Sequence, residues 1–278
     1  MSIIMSIFLG IVQGITEFLP VSSSGHLSIL QNLFRLDYAE ESHLFFSVLL
    51  HFGTLAAICI VYRTELRNML SEGAGYLKNR EEMSGEPLRP QVRTLLFIII
   101  GSLPLILVLI FGRFFARLFY NTGFIGFALL VTGGILYVSD KYIKPGNKRD
   151  KTMTAVDALL IGLTQAVAVI PGLSRSGTTI AVGMSRGLDR SFAVRFSLFL
   201  SIPAVLGSGI ITLVSAIRSG INFSLFPVYL VGVIVAAVVG YFSVQLLRRI
   251  VMTPGRFGKF AYYCWGVGIL TIILSLVL

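Results

Sequence analysis

EFLPVSSSGHL, residues 17–27, closes an apolar run that begins at residue 3 and is followed by another apolar stretch. A carboxylate, a proline, three serines, a glycine and a histidine are ordinary in a loop exposed to water. In hydrocarbon, an irregular backbone is tolerated only where it is buried in protein or lines a wet cavity. The reading of this stretch therefore depends on whether the chain lives in a membrane, and composition answers that. Of the 278 residues, 55% are hydrophobic and only 13% charged, where soluble domains carry about 25% charged residues; mean hydropathy is +0.85.

Long apolar runs recur at 44–62, 94–112, 123–138, 196–217, 225–247 and 260–278. A helix needs about 20 such residues to cross roughly 30 Å of hydrocarbon, so the sequence predicts an all-α polytopic membrane protein. The 3–19 run has no basic segment before it and no A-x-A-like site after it, so it does not read as a cleaved signal peptide. The net charge of +10 comes from Lys and Arg gathered in loops, which suits topology and anionic headgroups. No basic stripe interleaved with aromatics is present, and nucleic acid is excluded as a partner. Cys59 and Cys264 sit in apolar runs without CxxC spacing and read as small core residues.

Three loops are rich in positive charge: 63–93, 141–151 and 248–259. The positive-inside rule places all three in the cytoplasm. Two spans separate the first from the second. Two more separate the second from the third, together with the stretch 154–187. That stretch must enter and leave on the same side. Its second half, 174–187, is about 20 Å long as a helix, too short to cross. The 3–19 and 22–34 pair has the same form. Both are expected to be re-entrant helical hairpins with broken tips, which also accounts for the polar cluster at 17–27.

The hairpins match each other. Gly10, Gln13, Ser22, Ser24 and Gly25 recur at an offset of 152 as Gly162, Gln165, Ser174, Ser176 and Gly177, and FSVLL (46–50) is echoed by FSLFL (196–200). The expected architecture is a single domain, 1–278, of two repeats, about 1–140 and 153–278. Each repeat holds one hairpin and three spans, giving six transmembrane helices and two re-entrant hairpins. Three spans per half invert the second repeat, so the hairpin tips meet near the midplane and both termini lie outside.

Two broken helices meeting head to head make an anion site, because N-terminal N–H groups and the positive dipole end face it. The second tip reads PGLSRSGTT (171–179). Gly172 and Gly177 allow close backbone approach. Ser174, Ser176, Thr178 and Thr179, with Ser22 of the first tip, offer hydroxyls, and Arg175 offers a fork that fits phosphate. Arginine is costly at membrane depth and needs a partner there. Glu17 is a hard oxygen ligand or general base, with Gln13 one turn earlier on the same face; the two are candidates to hold Mg²⁺ or Ca²⁺. Ser23 and His26 are spaced i, i+3. That spacing suits either a serine nucleophile with a histidine base or a histidine nucleophile beside a hydroxyl. His43 is expected at the interface and His51 in helix packing.

At these residues the chain resembles the undecaprenyl-diphosphate phosphatases, also called the bacitracin-resistance family. The resemblance rests on QGITEFLPVSSSGHL (13–27) and PGLSRSGTT (171–179) and extends over the whole chain in length and element order. It implies an integral enzyme of the bacterial plasma membrane, open to the outer side. The enzyme removes the terminal phosphate of the C55 carrier-lipid diphosphate with a divalent cation, for envelope-lipid recycling and bacitracin resistance. It implies catalytic roles for Glu17, Ser23, His26 and Arg175. The family pattern allows Gln or Glu at position 13; Gln13 here leaves Glu17 more of the metal work. Without the resemblance, inverted repeats with broken helices fit a transporter or flippase of prenyl phosphate lipids equally. The 28 glycines offer faces for close helix packing, including that of a homodimer.

Overall fold

The computed structural model describes residues 2–33, 41–78, 88–144, 146–219 and 225–277, with the side chains of all but 41–44, 113, 116 and 215–219. His43 as a side chain, Phe34 and Arg80 lie outside that set. Among the described residues every element is helical, apart from one isolated bridge between Lys148 and Leu188.

The first apolar run forms α1 (Ile3–Thr16), with Ser2 as its N-cap, and after the break comes α2 (Ser23–Leu33). The span expected at 44–62 is α3 (Glu41–Val61). The charged loop after it begins as a helix, α4 (Arg63–Lys78), bent 83° from the span. The span expected at 94–112 starts earlier and is broken, as α5 (Pro90–Ser102) and α6 (Leu105–Ile110). Pro104 explains the break, since it has no N–H to continue the ladder. After α7 (Gly112–Leu118) come α8 (Thr122–Tyr142), α9 (Ala155–Val167), α10 (Arg175–Ser185), α11 (Arg190–Ser219), α12 (Phe226–Met252) and α13 (Phe260–Val277). Five stretches are long and apolar enough to cross a membrane: Pro90–Ile110, Thr122–Tyr142, Arg190–Val214, Phe226–Met252 and Phe260–Val277. Phe45–Val61 makes a sixth only if counted with the bent α4. The chain is a multi-pass membrane protein. α1 and α9, of 14 and 13 residues, reach only about 20 Å each.

The helices pack in matching pairs. α1 lies on α12 and α9 on α5; α3 lies on α12 and α11 on α5; α3 meets α11, and α8 meets α13. A Cβ at Gly10 of α1 would stand 2.6 Å from the Gly232 carbonyl oxygen, and one at Gly162 of α9 would run into Gly101 of α5. Small residues let these backbones approach where lipid offers no hydrophobic drive between helices.

Polar ties gather the basic loops at one end of the bundle. Arg93 Nη2 donates to Met153 O at 3.1 Å. Asp140 accepts from Gly258 N at 2.8 Å and pairs with Arg190 at 3.2 Å, and Arg190 also donates to Val251 O at 3.0 Å. Asp157, fully buried, forms a capping box with Thr154 and accepts from Lys148 Nζ at 3.0 Å and Arg186 Nε at 2.9 Å. The shared end expected of the three loops is thus found, and Asp157 is there a structural cap.

Candidate active site

Both helix breaks end in a serine cap. After Glu17 the chain turns through Pro20, and Ser22 takes φ +70°. Its Oγ accepts from Gly25 N at 3.2 Å and so caps α2. After Val167 the chain turns through Pro171 and Gly172, and Ser174 Oγ accepts from Gly177 N at 3.1 Å to cap α10. The tips touch. Gly172 N donates to Ser22 Oγ at 3.1 Å, and Ser176 Oγ reaches Leu19 O at 3.5 Å. α8 braces one tip, with Thr132 Oγ1 donating to Gly172 O at 2.8 Å; α13 braces the other, with Cys264 Sγ at 3.7 Å from Pro20 O.

Gly172 has φ +97°, and a Cβ there would stand 2.5 Å from Ile125 O and 2.7 Å from Ala128 Cβ. Gly172→Ala adds backbone strain to a clash, each worth about 1–3 kcal/mol. The variant is expected to unfold at a clearly lower temperature in detergent; an unchanged melting temperature would contradict this packing of the tips.

Glu17 is the centre of the junction. It is buried, 6% exposed. Its Oε2 accepts from Ser23 Oγ at 2.7 Å and from Gln13 Nε2 at 3.0 Å, and its Oε1 accepts from Arg175 Nη2. Arg175 thus has the partner that its depth requires. Its Nη1, also buried, has no hydrogen-bond partner among the described residues, and neither does Gln13 Oε1. Half of the guanidinium fork and one hard carbonyl oxygen are therefore uncommitted beside a carboxylate and a hydroxyl.

The side chains of Ser23 and His26 do not bond to each other. Ser23 turns to Glu17, because a carboxylate is the stronger acceptor. His26 Nδ1 lies 2.8 Å from Ser22 O, and Nε2 lies 2.9 Å from the Tyr263 hydroxyl. The carbonyl only accepts, which assigns the proton to Nδ1 and leaves Nε2 bare to accept from Tyr263.

Several expected phosphate ligands have other partners. Thr178 Oγ1 bonds back to Ser174 O at 2.8 Å; Thr179 Oγ1 bonds to Arg175 O at 2.7 Å and Ser197 Oγ at 2.6 Å. These are helix back-bonds and a tie to α11. Ser22 and Ser174 are caps. Gly177 faces Pro20, where a Cβ would come within 3.2 Å. His51, expected in packing, instead reaches the junction: its Nε2 is 3.5 Å from Glu17 Oε2 while Nδ1 lies 2.8 Å from Ser47 O. Tyr263 was not anticipated either. A tyrosine in a terminal apolar run reads by default as an interfacial anchor, so no local signal pointed to it.

No group of three or more His, Cys, Asp or Glu that could hold a metal occurs among the described residues. Gln13 Oε1 and Glu17 are nevertheless hard oxygen donors side by side. That suits a cation such as Mg²⁺, which takes one or two protein oxygens and completes its shell from phosphates and water.

These features define a multi-pass helical membrane protein with a buried polar site between two broken helices. The chain belongs to the family described as bacitracin resistance protein BacA, whose model matches residues 6–270. It is similar to the undecaprenyl-diphosphatase of Halothermothrix orenii, 38% identical over 276 residues covering 99% of each chain. It is also similar to that of Desulforapulum autotrophicum, 39% identical over 284 residues and the whole of both chains. A third relative, undecaprenyl-diphosphatase 3 of Bacillus cereus, is 39% identical over 272 residues, 96% of this chain and 95% of that one.

Proposed function

We propose that this chain is an undecaprenyl-diphosphatase that hydrolyses the C55 isoprenoid diphosphate to the monophosphate and inorganic phosphate. It recycles the carrier lipid of envelope synthesis and confers bacitracin resistance. The observation that carries the reading is the convergence of Ser23, Gln13 and Arg175 on the carboxylate of Glu17 across the two tips. A carrier of prenyl phosphates needs the cation of Arg175, but a serine bonded to a carboxylate adds nothing to carriage.

Two inverted repeats, with α1–α2 and α9–α10 as re-entrant hairpins, fit the matched pairs of α1 on α12 with α9 on α5. The basic loops lie in the cytoplasm of a bacterial inner membrane, both termini lie outside, and the site opens to the outer side.

In the mechanism, Arg175 holds the β-phosphate through its uncommitted Nη1 and stabilises the charge that builds on the phosphoryl oxygens. Ser23 Oγ attacks the β-phosphorus and passes its proton to Glu17 Oε2. The bond from phosphorus to the bridging oxygen breaks, and prenyl monophosphate leaves. Water then attacks the phosphoserine, taking the place of the Tyr263 hydroxyl at His26 Nε2 and giving that nitrogen a proton. The bond from phosphorus to Oγ breaks, phosphate leaves, and Ser23 recovers its proton from Glu17. Gln13 Oε1 and Glu17 would hold a divalent cation, Mg²⁺ or Ca²⁺, which would supply positive charge against the diphosphate.

The test uses purified protein in detergent, where no two-sided membrane exists, with farnesyl diphosphate and Mg²⁺. Steady release of inorganic phosphate is expected; its absence would leave the transporter standing. Acid quenching of the same reaction should trap an acid-stable phosphoserine at position 23. An acid-labile phosphohistidine would transfer the nucleophile's role to His26.

A further inference from the structure

Gln165 in α9 is 1% exposed, and neither atom of its amide has a hydrogen-bond partner among the described residues. Buried polar groups are nearly always paired, so this amide is kept for a partner that the polypeptide does not supply.

Its position follows from the pairing of the halves. Gln165 stands 152 residues after Gln13, as Gly162 stands after Gly10. The two glycines face the backbones of α5 and α12 respectively, which fixes the rotation of each helix about its axis. Three residues further on, the two glutamines occupy the same place on their helices. At the tips, Ser23 and Arg175 are also 152 apart, each opens its helix, and they bond to opposite oxygens of Glu17. The carboxylate therefore lies close to the axis that relates the hairpins. Gln13 reaches it through Nε2 at 3.0 Å. The same pairing directs its mate Gln165 at that centre from the other side. There the position equivalent to Glu17 is Val169, which explains why the second amide has no bond to make.

We propose that Gln165 is a substrate-binding residue, whose Nε2 donates to an oxygen of the α-phosphate. The assignment rests on the phosphatase reading. In-line displacement requires the leaving oxygen to stand opposite the nucleophile. With Ser23 attacking from the first hairpin and Arg175 on the β-phosphate, the departing prenyl monophosphate lies toward the second hairpin, where Gln165 holds a buried donor with no partner among the described residues. Gln165 steadies the leaving phosphate as its charge grows.

Gln165→Met and Gln165→Glu, assayed beside wild type with farnesyl diphosphate, test this. The Met variant keeps length and loses the donor. It should lower kcat/KM about 10- to 100-fold, the effect of a hydrogen bond to a charged group, without lowering the unfolding temperature, since an unpaired amide has been removed. The Glu variant should be slower still, by repulsion of phosphate. Wild-type kcat/KM in either variant overturns the proposal, and an active Glu variant beside an impaired Met variant would make the position a cation ligand. A wild-type enzyme that releases no phosphate overturns the phosphatase reading instead. In that case inorganic pyrophosphate should raise the unfolding temperature of wild type and not of the Met variant, and equal stabilisation of both would refute the role of Gln165.

Discussion

Arg175→Ala should release phosphate at least about 10³-fold more slowly than wild type, the scale on which arginines act in phosphoryl transfer. Two consequences of the geometry combine here. One amino group of the guanidinium holds Glu17, and the other is buried with no partner of its own among the described residues, so its fork is only half occupied. Alanine removes the donor aimed at the phosphoryl oxygens. It also leaves the Glu17 carboxylate buried, with Ser23 and Gln13 as neutral donors. Breaking a buried pair costs about 3–5 kcal/mol, so the variant should also unfold at a lower temperature. Arg175→Lys separates the two effects. Lysine retains the charge that Glu17 needs, so stability should recover in large part. It cannot span a carboxylate and a phosphate with one planar fork, so release should remain about 10²-fold down. Initial rates and thermal unfolding, measured on the same detergent preparations, give both readouts. An alanine variant with wild-type turnover would remove Arg175 from the reaction.

The residues of this junction were legible in the sequence because a membrane punishes polar groups that have no purpose. Glu17, Arg175 and the serine caps interrupt runs that should have been uniformly apolar, and the repetition of the caps, Ser22 and Ser174, 152 residues apart marks the two breaks as equivalent structures. What was not legible depends on tertiary contact. His51 lies on α3, and only the packing of that helix brings it within 3.5 Å of Glu17. Tyr263 belongs to α13, 237 residues from the imidazole it meets. The hydroxyls of Thr178 and Thr179 illustrate a different limit. Composition cannot tell a hydroxyl offered to a ligand from one bonded to the carbonyl a turn behind it, and here both bond back. The break at Pro104 likewise divides an apolar run that periodicity alone would leave continuous.

The roles of Ser23 and His26 separate by where the reaction stops. Ser23→Ala should abolish both turnover and the trapped phosphoenzyme, a loss of about 10⁴-fold or more, as when an enzyme loses its nucleophile. Glu17→Gln keeps the shape but removes the proton acceptor 2.7 Å from Ser23 Oγ, and should cost about 10²–10⁴-fold. Groups that act as a unit are not additive, so the double variant should be no slower than Ser23→Ala alone. His26→Ala behaves differently under the same geometry. The imidazole is tied to Ser22 O and Tyr263 rather than to Ser23, so phosphoryl transfer to Ser23 can proceed without it, whereas attack by water loses its base. Phosphoserine should therefore accumulate in His26→Ala to nearly one equivalent, with a single burst of prenyl monophosphate and little free phosphate. If His26 were the nucleophile, the same variant would form no phosphoenzyme and show no burst. Burst amplitude in this one variant decides between a serine that attacks with a glutamate behind it and a histidine that attacks alone.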